Sequence, residues 1–209
     1  NLWVVRQFIL RRLREVLSLW EGGEALEALL RSRGLYLVVG GLLVWLFTAI
    51  GFGQWPLWLR FAHGQPFGIS DPIFGRDVGF YVFSLPFYGF VAKFLLGAIM
   101  TTGFFTVLLY GLGGGIQLQK RIQVLPSAQA HLSCLGGLML MVIAWIYRLK
   151  IYGLLYSEDW VAFGAGYVDV NVQVWTYWLL VFLFLGAAAL FFVNMRTRGT
   201  RLPLIGASL

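Results

Sequence analysis

The sequence predicts an all-α membrane protein of about four transmembrane helices, with interfacial helices and ordered extracytoplasmic loops between them. Three observations carry this. Hydrophobic residues fill 59% of the 209 positions and charged residues only 12%, against about 25% charged in an average soluble domain. The charges come in blocks and leave four charge-free windows, Gly34–Leu59, Phe94–Gln119, Ile122–Tyr147 and Val170–Met195. Each window exceeds the ~20 residues that a helix needs to cross a hydrocarbon core of about 30 Å. None alternates polar and apolar residues as the strands of a membrane barrel do.

The elements follow in chain order. Residues 2–20 read LWVVRQFILRRLREVLSLW. Gln7, Arg11, Arg14, Glu15 and Ser18 share one helical side, and Val5, Phe8, Ile9, Leu13, Val16 and Trp20 the other. That pattern suits an amphipathic helix on the cytoplasmic face or the end of an earlier span. Residues 1–33 are thus a cytoplasmic-side helix and connector. Residues 34–195 form the membrane domain, with spans near 35–53, 91–112, 127–147 and 173–195. QWPLWLRF (54–61) predicts a short interfacial helix, because its rings favour the headgroup level and Pro56 is tolerated in a first turn. IQLQKRIQV (116–124) alternates at period two and predicts a short strand or hairpin. Gly40, Gly41, Gly136 and Gly137 are small residues that let helices approach closely. Residues 196–209 are a basic cytoplasmic tail.

Orientation comes from the cations. With residues 1–33 inside, 11 of the 16 Lys and Arg residues fall on the inner side, including Lys120, Arg121, Arg196, Arg198 and Arg201. Arg60, Arg76, Lys93, Arg148 and Lys150 fall outside. The positive-inside rule favours this arrangement, and both basic termini then face the cytoplasm. The cations are dispersed over three inner segments, which speaks for anionic lipid heads and against nucleic acid. The chain opens on Asn1 without a signal-peptide layout and reads as a piece of a longer protein.

The most informative stretch lies between spans: FGISDPIFGRDVGFYVFSLPFY (67–88). Asp before Pro starts turns. Asp71 and Asp77 are expected to cap turns and to pair with Arg76, Arg148 or Lys150, since a buried charge needs a partner. VGFYVF is expected to lie extended or in a shallow interfacial turn. About 70 residues on comes LLYSEDWVAFGAGYVDV (154–170), on the same side in this topology; it carries Asp169 and is expected to meet the first stretch. Together with WLRFAHGQPFG, AHLSCLGGLMLM and YRLKIYGLLYS, this pair resembles the large bacterial membrane proteins grouped as uncharacterised protein family 0182. The resemblance covers roughly residues 30–195. It implies a polytopic bacterial membrane protein with more spans than this chain shows and a large extracytoplasmic domain after them. Val168 stands where the family pattern carries threonine. The family supplies architecture and no reaction.

Candidate chemistry is sparse. Asp71, Asp77 and Asp169 are the clustered carboxylates, with Arg76 between the first two; a divalent cation is the alternative to a structural role. No dense calcium-ligand loop is present. His131, at the start of a span, is the weak candidate for ligating a pigment or haem, and His63 reads as an interfacial polar residue. Lone Cys134 reads as a small buried side chain. No cofactor is required by the sequence. No metalloprotease, nucleophile-elbow, haem-attachment or phosphate-loop motif occurs, and no catalytic or metal constellation is complete. The expected role is a non-catalytic accessory or scaffold subunit of a larger bacterial membrane complex, contacting lipid and other membrane subunits. A transport or channel component and a pigment- or haem-carrying subunit are the alternatives.

Overall fold

The computed structural model describes residues 33–112, 116–118, 122–156, 158–159, 162–163 and 166–197. The expected amphipathic helix of residues 2–20, its connector and the tail beyond residue 197 lie outside these residues.

The described chain is almost entirely helical. Helix α1 (Arg33–Gly53) runs into α2 (Trp55–Ala62) through a 52° bend. Pro56 sits in the first turn of α2, where its missing N–H costs nothing. A loop leads to Asp77 and then to a π-helical turn, Phe80–Ser84, that continues as α3 (Leu85–Leu112). VGFYVF is therefore helical, which corrects the extended conformation expected from sequence. Asp77 caps the helix start, and Pro86 explains the widened turn. A proline ring clashes with the carbonyl four residues earlier in a regular helix; here Leu85 N–H reaches back to the Phe80 carbonyl instead.

Two short strands follow, β1 (Ile116–Leu118) and β2 (Ile122–Val124), antiparallel with Gln117 opposite Gln123. This is the hairpin that the alternation predicts. Helix α4 (Pro126–Gly153) ends in a 3-10 turn, Leu154–Tyr156. A second antiparallel pair, β3 (Glu158–Asp159) and β4 (Ala162–Phe163), and a π-helical turn, Asp169–Gln173, lead into α5 (Val174–Thr197).

Among the described residues, three helical stretches are long and apolar enough to cross a membrane: Phe80–Gly111, Pro126–Tyr156 and Val170–Arg196. The bent pair α1–α2 makes a fourth if counted as one span. The first begins well before the span expected near 91–112 and the second runs well past the one expected near 127–147, while the third nearly matches 173–195. Arg148 and Lys150 do not end α4, because each cation lies over aromatic rings, Arg148 over Tyr152 and Trp178 and Lys150 over Tyr147.

Helices α4 and α5 pack most closely. A Cβ on Gly136 would stand 2.7 Å from the Phe191 ring, and one on Gly137 would stand 2.9 Å from Phe192. Ser133 and Asn194 meet in the same seam, where the Asn194 amide donates to Ser133 Oγ at 2.8 Å. Asn194 is fully buried, and its carbonyl oxygen has no partner among the described residues. Gly40 and Gly41 do not act as contact glycines among the described residues, since nothing there lies within 4 Å of a Cβ at either. Helix α1 stands away from the others and touches α3 through the Phe47–Phe94 ring pair at 5.4 Å.

Candidate functional site

The site grows out of the loop between α2 and α3. Helix α2 closes at His63, whose N–H bonds to the Leu59 carbonyl at 3.0 Å and whose Nδ1 lies 3.1 Å from the same oxygen. The rings of Trp58 and Phe61 stack on Phe87 at 5.3 and 4.3 Å. This clamps α2 onto the first turn of α3 and holds both ends of the loop.

Within the loop, Ser70 pairs with Asp77 across an antiparallel bridge. Val78 N–H donates to the Ile69 carbonyl and Asp71 N–H to the Arg76 carbonyl, at 2.9 and 2.8 Å. The tip, Asp71–Arg76, turns on Gly75, whose φ of 65° falls in the left-handed region that glycine enters without steric cost. Asp71 shapes this tip. Its carboxylate accepts the N–H groups of Ile73 and Phe74 at 2.9 and 2.7 Å. It also accepts the Tyr81 hydroxyl at 2.9 Å. Aspartate suits this place because its short side chain reaches backbone N–H groups two and three residues on.

Asp77 does the complementary work at the other end. One oxygen accepts from Gly79 N–H at 2.6 Å, an N-cap bond that satisfies a free donor of the helix. It also accepts from Phe67 N–H at 3.0 Å, and the other oxygen from Gly68 N–H at 2.8 Å. A Cβ on Gly79 would stand 2.7 Å from the Gln65 carbonyl, so only glycine lets the strands close here.

Neither aspartate pairs with Arg76, Arg148 or Lys150 among the described residues, which corrects that expectation. The backbone donors are nearer and fixed, so they take the carboxylate oxygens. Burial pushes the Asp71 carboxyl up, yet the Ile73, Phe74, Tyr81 and Arg76 hydrogen bonds outweigh it and hold it below the ordinary 3.8. The Phe67 and Gly79 N–H groups, with Gly68, hold Asp77 below 3.8 against a smaller opposing effect of burial.

The cations lie on rings instead. Arg76 sits over Phe80 at 5.5 Å. Arg148 sits between Tyr152 and Trp178, 4.5 and 4.8 Å from their ring centres, and donates to the Tyr152 hydroxyl at 2.6 Å. Tyr152 is the hub, contacted edge-on by Phe74 and Phe80 at 5.5 and 5.1 Å. Tyr81, Leu85 and Tyr152 form the buried cluster under the loop. Asp71 is thereby linked through Tyr81 and Tyr152 to Arg148 and α5. Sequence reasoning missed Tyr81, Tyr152 and Trp178. The four-residue spacing of Arg148 and Tyr152 on one helix is the signal that could have found one of these contacts.

Asp169 opens the π-helical turn before α5, and its side chain lies outside the described residues. The loop's ring contacts reach Tyr152 of α4. His131 lies near the start of α4, edge-on to Tyr110 at 6.1 Å and far along the helix from Tyr152. Cys134 is half-buried. Among the described residues, no group of three His, Cys, Asp or Glu side chains comes together to hold a metal. Chemically, the loop is a set of carboxylates saturated by donors, with cations presented on aromatic faces.

Comparison with known proteins places this architecture. The family described as Uncharacterised protein family (UPF0182) matches residues 3–209. The chain is 42% identical to a UPF0182 protein of Frankia alni over 158 residues, which are 75% of this chain and 15% of that protein. It is 38% identical to one of Thermobifida fusca over 82% of this chain and 17% of that protein. It is 35% identical to one of Bradyrhizobium diazoefficiens over 97% and 23%. The chain thus spans less than a quarter of the length of these relatives. No solved structure matches it. On the match across nearly its whole length, the chain belongs to the uncharacterised protein family UPF0182.

Proposed function

We propose that this chain is a four-span, non-catalytic membrane module that anchors and scaffolds a larger bacterial membrane protein or complex. The observation that carries this reading is the exposure of large apolar side chains along whole helices. Leu37 is 75% exposed, Phe52 77% and Trp175 72%. Such surface is costly in water and is the normal exterior of a helix in lipid or against another membrane helix. Two further features support it. The loop carboxylates are committed to holding backbone, which leaves them poor general bases or metal ligands. The relatives are four or more times longer than the matched region.

In this arrangement the Asp71 loop and α2 lie at the outer headgroup level, and the β1–β2 hairpin lies inside. Cysteine accessibility tests it. In a Cys134→Ser background, Gly75→Cys should react with an impermeant maleimide from outside intact cells, and Gln117→Cys only after lysis. Extraction of the chain by alkaline carbonate refutes the membrane reading, and the opposite labelling pattern refutes this orientation. Co-purification from the native membrane tests the scaffold role, and recovery of a stable lone polypeptide with no partner counts against it.

A further inference from the structure

A cavity of about 290 Å³ lies between α1, α3 and the start of α4. Leu43 and Phe47 of α1 and Ala98 and Phe105 of α3 give it an apolar wall. Polar groups break that wall: Thr101 and Thr106 of α3 and His131 of α4. Thr102, on the same stripe, returns its hydroxyl to the Ala98 carbonyl at 2.8 Å, the usual way for a helical threonine to satisfy itself. Thr101, Thr106 and His131 make no hydrogen bond among the described residues, although Thr106 is only 6% exposed. An unpaired polar group away from water costs roughly 2 kcal/mol or more, so the buried Thr106 hydroxyl, facing the cavity, is the group that calls for an external partner, with the half-buried Thr101 and His131 beside it.

We infer that this slot binds a single-chain amphiphile with an uncharged hydrogen-bonding head, such as a protonated fatty acid or a long-chain alcohol. The tail runs between α1 and α3, and the head meets Thr106 and His131. The volume stands at the small end of ligand pockets, which span roughly 300–1,000 Å³. That suits one hydrocarbon chain and is too narrow for a flat macrocycle with its substituents. A neutral imidazole offers one donor and one acceptor, and each threonine hydroxyl offers a donor and acceptors. This set matches a carboxylic acid or hydroxyl and, among the described residues, offers no fixed cation for a phosphate. The sparse contact between α1 and α3 leaves a side entrance for the chain. The inference rests on the membrane reading above, which maleimide topology tests separately. A slot that fails to bind in a chain shown to span the membrane overturns the ligand alone.

The test uses the full chain in lipid nanodiscs, with palmitic acid carrying a mid-chain diazirine as the probe. Photolabelled peptides are mapped by mass spectrometry. Labelling should concentrate on residues 43–47 and 98–109, and unlabelled palmitic acid or hexadecanol should compete where hexadecane does not. Ala98→Phe fills the slot and should lower labelling there at least tenfold, while labelling around Trp175 stays at the wild-type level and reports an intact fold. His131→Ala with Thr106→Val should weaken competition by the acid and the alcohol at least fivefold, and His131→Gln should retain most of it. Slot labelling no higher than that around Trp175, or unchanged by Ala98→Phe, reduces the contact to ordinary surrounding lipid and overturns the proposal. Equal competition by hexadecane overturns the role given to the head.

Discussion

Removing the Asp71 carboxylate should open the loop without unfolding the helices. In Asp71→Ala three donors lose their acceptor: Ile73 N–H, Phe74 N–H and the Tyr81 hydroxyl. Hydrogen bonds to a charged group are each worth about 1.5–3 kcal/mol. The two amides lie at an exposed tip and recover much of this from water. The Tyr81 hydroxyl lies in a buried cluster and recovers little, so the net cost is about 3 kcal/mol. Asp71→Asn keeps one acceptor oxygen and should cost about half that. Tyr81→Phe removes one bond and leaves the carboxylate its two amides, which should cost about 1 kcal/mol. The assay is hydrogen–deuterium exchange of residues 67–79 in detergent or nanodiscs. A 3 kcal/mol loss accelerates exchange by roughly two orders of magnitude where the loop opens locally. The cycle of Asp71→Asn, Tyr81→Phe and the double variant should give a coupling of about 1 kcal/mol. Unchanged exchange in Asp71→Ala, or additive single variants, refutes the assignment of Asp71 as the anchor of the loop.

Asp77→Ala should speed exchange at Phe67, Gly68 and Gly79, the three amides its carboxylate holds, and spare Ile73 and Phe74. Both aspartates have folded values below 3.8, so the stability they give is present above that value and is lost as pH falls through the lower folded one. Loop exchange, corrected for its intrinsic pH dependence, should therefore rise below about pH 4, and Asp71→Asn should flatten much of that rise. Gly137→Leu should destabilise the α4–α5 seam by about 1–3 kcal/mol through overpacking against Phe192, whereas Gly41→Ala should be neutral; thermal melts in detergent compare them. Arg148→Lys should fail to replace the guanidinium stacked between Tyr152 and Trp178, costing about 1 kcal/mol, and altered Trp fluorescence reads out the loss.

Much of this protein was legible in its sequence. Helix positions followed from apolar length, because a run of such residues has few other ways to satisfy its backbone in lipid. Pro56 marked the start of α2, and the alternation in IQLQKRIQV marked the hairpin. Asp71 and Asp77 were recognisable as loop-shaping residues, since Asp71 precedes a proline, Asp77 stands two residues from a glycine on either side, and such segments favour turns. These are local properties, set by neighbours a few residues away.

The partners were decided only when the helices came together. Both aspartates looked destined for arginines, yet backbone amides brought close by the Ser70–Asp77 bridge took their oxygens. Arg148 and Lys150 looked like the end of a span, yet rings one turn along α4 and across on α5 carried their charge inward. Gly136 and Gly137 face phenylalanines while Gly40 and Gly41 face nothing among the described residues, though the two pairs read alike. The three polar groups around the slot are ordinary residues in the sequence and become a site only where α1, α3 and α4 converge. Sequence by itself determined what each segment becomes; the tertiary structure decided what each side chain touches, because contacts depend on which helix faces meet, and no local pattern encodes that.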